Sequence, residues 1–197
     1  MRKPLAVAGL LALLLGLACE PPRSAKPIGT PAKLDPRALG LWSARMDDGD
    51  TGYLEIAAHE GGADLLLFAS NSDGVMTLHS DAAPADVGGV HYLNLREKRM
   101  ASGFSDKFEL GADYIFVKYG ITKSGTLELW YMDDEVAKKA IEAGTLAGTT
   151  GPDFVRITDE PPKILEMIAK AKPDDLWVKL APKFQRVKPG KLPGPAK

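Results

Sequence analysis

From residue 38 to residue 158 the chain alternates short apolar runs with clusters of Gly, Asp, Asn and Ser. Runs of strand length, rich in aliphatic and aromatic residues, lie at 39–46, 52–58, 63–70, 75–80, 89–95, 114–121 and 126–132, and an eighth follows at 154–158. Short polar breaks such as Asp47-Asp48-Gly49-Asp50, Glu60-Gly61-Gly62, Asn71-Ser72-Asp73-Gly74 and Lys123-Ser124-Gly125 read as hairpin turns, while 81–88 and 96–111 read as longer connections. Consecutive strands with short connections form an antiparallel meander. About eight of them suffice to curl and close, which removes the exposed edges of an open sheet. The expected fold is therefore mainly β, an antiparallel barrel of about eight strands with two short packing helices.

The helical periods fall late in the chain. Asp133 can cap a helix over 133–144 whose first turn carries Asp134 and Glu135 and which stops at Gly144. A second helix is expected over 160–172, with Asp159 as cap, Pro161 and Pro162 in the tolerant first turn and Pro173 as terminator. Ile164, Leu165, Ile168 and Ala171 form one apolar stripe, which should pack on the barrel. Bulky residues on both faces of the 114–121 run imply that something also covers the barrel's outside there.

Charge changes the picture at both ends. The body from 38 to 180 holds 14 Lys or Arg against 24 Asp or Glu, a net of −10. The segment 181–197 has five basic residues and no acid, and 20–37 has four basic residues and two acids. Both flanks are rich in proline, so 19–37 reads as a linker and 181–197 as a disordered basic tail around a barrel domain at 38–180. An acidic body without a basic, aromatic-studded face excludes nucleic acid as partner.

The single cysteine, Cys19, follows Arg2 and Lys3, an apolar run over 5–17, and Ala18. Leu15-Gly16-Leu17-Ala18-Cys19 resembles a bacterial lipobox, which implies removal of residues 1–18 as signal peptide and lipidation of Cys19. Gly16 and Ala18 also fit the small-x-small pattern of the ordinary signal peptidase, and a secreted form with a free thiol is the competing expectation. Glu20, rather than Asp, after the cysteine implies anchoring at the outer membrane, facing the periplasm or the exterior.

Chemistry-bearing residues are few. His59, His79 and His91 are too widely spaced for a local helical metal pair, and no cysteine is left for a softer site, so neither a metal nor a cofactor is expected. Asp47-Asp48-Gly49-Asp50-Thr51-Gly52 lacks the spacing of a calcium loop. His79-Ser80-Asp81 holds the residue types of a hydrolase triad only in sequence, and no nucleophile elbow or phosphate loop occurs. The expectation is a protein without catalytic activity.

Gly40-Leu41-Trp42 at the first strand resembles the G-x-W motif of lipocalin-like (calycin) barrels. That resemblance implies a tryptophan across the closed end with an arginine of the last strand over it, and Arg156 in Val155-Arg156-Ile157 is the matching position. Phe116-Val117-Lys118-Tyr119 and Leu129-Trp130-Tyr131 look like small-barrel bacterial lipoproteins to which no activity is attached. Two functions follow as expectations. One is a binding module whose inward residues Trp42, Ile56, His91, Tyr119 and Tyr131 line a site for an apolar or amphipathic ligand. The other is a structural or assembly lipoprotein with a filled barrel that meets an envelope protein through its outer surface.

Overall fold

A computed structural model of the chain describes residues 21–46, 51–71, 74–102, 105–109, 112–152, 154–180 and 182–188. The signal segment, Cys19, the tip at 47–50 and most of the basic tail lie outside the described residues. In chain order the strands are β1 (Arg23–Ser24), β2 (Thr30–Pro31), β3 (Gly40–Arg45), β4 (Thr51–His59), β5 (Gly62–Asn71), β6 (Gly74–Val87), β7 (Val90–Ser102), β8 (Ser105–Glu109), β9 (Tyr114–Ile121), β10 (Thr126–Met132), β11 (Gly148–Thr150), β12 (Val155–Ile157), β13 (Trp177–Lys179) and β14 (Phe184–Arg186). A short 3-10 helix spans Pro36–Ala38, and the α-helices are α1 (Asp134–Glu142), α2 (Pro161–Lys170) and α3 (Pro173–Leu176).

The sheet closes as an eight-strand antiparallel barrel. Its staves run β3-β4-β5-β6-β7-β9-β10-β14, and β14 returns to pair with β3. Alternation along each stave directs Trp42, Leu54, Ile56, Leu65, Leu93, Val117, Leu129 and Tyr131 into one buried interior cluster. The expected strands β9 and β10 have the expected bounds. By contrast β6 and β7 run straight through the segments read as connections, paired from Val87↔Val90 out to Met76↔Ser102 with an irregularity between His79 and Ser80.

Three expectations are corrected. The eighth stave is not 154–158: β12 has only three residues and sits in a small side sheet between β11 and β1, parallel to β1. The eighth stave comes instead from β14, approached through β13, and so from residues read as disordered tail. β13 pairs with Met132, Tyr131 and Trp130, the Leu180 amide donates to the Leu129 carbonyl, and β14 pairs with Leu127 and Thr126 before crossing to β3. Phe184 supplies the reason, since it is 5% exposed within the interior cluster and offsets the ordering of a proline-flanked segment. Third, the proline-rich stretch before residue 38 is not a solvated spacer where it is described, because Ile28 is buried and hydrogen-bonded through its backbone to Asn94.

A second layer explains the bulky outer face of β9. Phe116, Tyr92 and Met132 face away from the barrel interior and pack with Ile28, Ala137, Val155, Ile157, Ile164 and Leu176. Helix α1 begins as its sequence demands, with the Asp133 side chain accepting from the Glu135 amide at 2.9 Å, and Gly144 follows its end with φ 69°. The start of α2 differs in detail. Asp159 accepts from the Ala147 and Glu160 amides, so it ties β11's approach to the helix entrance, and Glu160 takes the capping position.

Candidate functional site

One end of the barrel is sealed from residues 35–42. The indole of Trp42 is 1% exposed and its Nε1 donates to the Ala38 carbonyl at 2.8 Å, which binds the ring to the 3-10 helix. The guanidinium carbon of Arg186 lies 4.5 Å from the Trp42 ring centroid, on the strand residue directly opposite. Its Nη1 donates to the Leu39 carbonyl at 2.7 Å and its Nη2 to the Arg37 carbonyl. A cation stacked on an indole while its outer donors satisfy strand-end carbonyls uses both properties of arginine. Gly40 has φ 112°, and a Cβ there would stand 2.9 Å from Arg186 Nη1, so the glycine of the G-x-W motif makes room for the arginine.

Arg156, assigned that position from sequence, is elsewhere. Its Nε and Nη2 donate to the two Asp113 oxygens at 2.6 and 3.0 Å. The reason is topological, because β12 is not a stave and never reaches the Trp42 end. Asp113 is held below its ordinary carboxylate value first by the Arg156 hydrogen bond, against the opposing effect of partial burial. Beside it Arg23 Nη2 stands 2.8 Å from Glu97 Oε2, whose side chain is 3% exposed. No N–H is aligned on that oxygen, so the contact is a charge pair rather than a directed hydrogen bond.

Four of the five expected lining residues, Trp42, Ile56, Tyr119 and Tyr131, belong to the interior cluster and fill it. Tyr119 also accepts the Asp35 amide on its hydroxyl at 3.3 Å, which fastens the sealing segment. His91 shares the parity of Leu93 and Leu95 but ends at the rim, half-exposed, with its ring 5.7 Å from that of Tyr119 and Nδ1 3.7 Å from Asp86. None of the five lines the interior space that remains. Among the described residues that space includes a cavity of about 60 Å³ displaced toward Met46 and Gly52, walled by leucines of β4, β5, β6, β7 and β10 together with Phe184, with Ser80 as a polar neighbour.

On the outer wall the strand register assembles a cluster that spacing along the chain does not reveal. Asp64 of β5 and Asp81 of β6 are direct cross-strand partners. His59, at the end of β4, reaches Asp81 Oδ1 through Nε2 at 3.2 Å, and His79 Nε2 lies 2.8 Å from Asp64 Oδ1. Lys98 stands 3.6 Å from Asp81 and 3.9 Å from Asp64, and Arg96 is 3.2 Å from Asp81. His59 titrates above its ordinary value, first through its hydrogen bond to the Glu60 carbonyl and then through Asp81 and Asp64. Asp64 is lowered chiefly by the His79 hydrogen bond. Asp81 is also lowered, since hydrogen bonds from Arg96 and His59 outweigh the raising effect of burial. An open depression of about 460 Å³, bordered by Glu55, Asp64, His79 and Arg99, adjoins the cluster. The signal was available in the turn: Glu60-Gly61 pairs His59 with Gly62 and so fixes which β5 residues face outward.

The triad residue types do not converge. His79 and Asp81 face outward, whereas Ser80 is buried between them against the interior. What the geometry defines is a closed eight-strand antiparallel barrel with one sealed end, a nearly filled interior and a charged outer wall. Comparison with protein-family models, with curated proteins and with solved structures finds no match.

Proposed function

We propose that this chain is a lipid-anchored envelope protein of calycin-like build whose barrel serves as a rigid, non-catalytic scaffold and which meets another envelope component through its outer surface. The observation that carries the reading is the interior volume. Sites that enclose small molecules measure roughly 300–1,000 Å³, and the cavity here is about 60 Å³. Trp42 beneath Arg186 supports the calycin resemblance, with the arginine contributed by the last stave. The basic start, apolar run and Cys19 support a lipid anchor, and Glu20 in place of Asp after the cysteine supports the outer membrane as its site.

Titration of the full chain in mild detergent with a long-chain fatty acid, followed by displacement of a naphthylamine fluorophore, tests the scaffold reading. No saturable displacement is expected, and stoichiometric displacement would overturn it. The anchor is tested separately by Cys19→Ala in a Gram-negative host. Loss of membrane association with the fold intact is expected, whereas unchanged processing and pelleting would refute lipidation.

A binding module is the second reading, favoured by one observation. The cavity walls are almost entirely apolar, and Met46 and Pro182 are among them. A ligand would then have to be a short alkyl group. Saturable binding of a short-chain alcohol by the parent chain, abolished when Leu67→Phe fills the space, would support this reading.

A further inference from the structure

We propose that His59, Asp64 and Asp81 form a binding site for one divalent transition-metal ion of the zinc class on the outer wall of the barrel. The site is independent of whether the interior is filled. One oxygen or nitrogen from each of the three side chains lies within 4.8 Å of the others, so that small side-chain rotations bring all three to the bond lengths of about 2.0–2.2 Å that a zinc-class ion requires. Two carboxylates and one imidazole suit zinc-class ions, and three protein ligands leave positions open for water or a partner's donor.

Three features point to a cation rather than to a solvated surface. Asp64 and Asp81 are directly opposed on neighbouring strands, where like charges are destabilising, and the Lys98 and Arg96 cations that offset them sit on long flexible stems that an ion can displace. The His59 ring is oriented as metal-binding imidazoles are. Its Nδ1 lies 2.8 Å from the Glu60 carbonyl, an oxygen that can only accept, so Nδ1 carries a proton. That leaves Nε2 as the nitrogen turned toward Asp81 Oδ1, 3.2 Å away, where a metal ion can take the place of the proton that otherwise joins them. Finally, the ring is seated by the backbone. A Cβ on Gly62 would stand 3.1 Å from His59 Cε1 and 2.6 Å from the Ala82 carbonyl, so only glycine leaves the imidazole its place against the hairpin.

The other groups around the site are His79 on Asp64, Lys98 on both carboxylates and Arg96 on Asp81. Lys98 is the competitor. Its ammonium occupies the approach to both acids at the end of a flexible stem, and an ion must displace it.

Isothermal titration with zinc chloride decides the matter, using the full chain in detergent with Cys19→Ser to remove the thiol. One ion per chain is expected to bind saturably. His59→Gln and Asp64→Asn should each weaken binding by about tenfold or more, while His91→Gln at the sealed end leaves it unchanged. Lys98→Met should tighten binding, because it removes the competing charge. Circular dichroism identical to the parent keeps the variants comparable. The proposal is overturned by absence of saturable one-to-one binding, by His59→Gln and Asp64→Asn binding as the parent does, or by Lys98→Met weakening the ion.

Discussion

The guanidinium of Arg186 lies over the ring of Trp42, 4.5 Å from its centroid, and the two residues face each other across β14 and β3. The contact joins the last stave to the first and seals the barrel where it closes. Truncating a core tryptophan costs about 3–5 kcal/mol, and the stacked cation adds roughly 0.5–1 kcal/mol. Equilibrium unfolding of Trp42→Ala, Arg186→Ala and the double variant should therefore be non-additive. Arg156→Ala, combined with Trp42→Ala, should be additive, because Arg156 is engaged with Asp113.

A side chain at Gly40 should be costly. Its φ of 112° and the 2.9 Å approach of Arg186 combine backbone strain with a clash. Gly40→Ala is expected to lower unfolding free energy by about 1–3 kcal/mol. Pairing it with Arg186→Ala should return part of that loss, since the clash is then gone and only the strain remains.

The charge pair between Arg23 and Glu97 rests on a nearly buried carboxylate. Arg23→Ala leaves that carboxylate without its partner and should cost about 3 kcal/mol. Adding Glu97→Leu should restore much of the stability. Denaturant midpoints of the single and double variants check this, and an Arg23→Ala midpoint equal to the parent's would contradict it.

Acid should act through Asp113. Its pKa is depressed in the folded chain by the Arg156 hydrogen bond, so the unfolded chain takes up its proton first as pH falls. The stabilisation is fully present above the ordinary carboxylate value of about 3.9, and is lost as pH falls through the depressed folded value. The stability gap between the parent and Arg156→Ala should be constant at neutral pH and close in the acid range below about pH 4. A gap unchanged at low pH would show that the pair contributes nothing through charge.

Much of the barrel was legible because period-2 alternation carries the inward set directly, as at Leu127, Leu129 and Tyr131 of β10. The eighth stave was not. Pro182 and the basic composition around Phe184 read as an unfolded tail, and only the alternation of Phe184 with Gln185 and Arg186 hinted at a strand. Val155-Arg156-Ile157 misled for the opposite reason. It has strand residues and an arginine, but its partners are β11 and β1, and pairing is a tertiary property. The outer extension of β7 was hidden by Arg96-Glu97-Lys98-Arg99, whose charges suit a connection as well as a strand with a solvated face. The His59, Asp64 and Asp81 cluster required the hairpin register, since its members come from three strands.

Closure of the barrel by β14 is the claim on which the sealed end and the filled interior both depend. Its most direct measurement is native-state hydrogen exchange at the Val187 amide, which donates to the Leu41 carbonyl at 2.9 Å. Protection comparable to that of core amides in β4, such as Leu54, is the predicted result. Exchange of Val187 at the rate of an unstructured peptide, with Leu54 still protected, would mean that the last stave is absent and the barrel open.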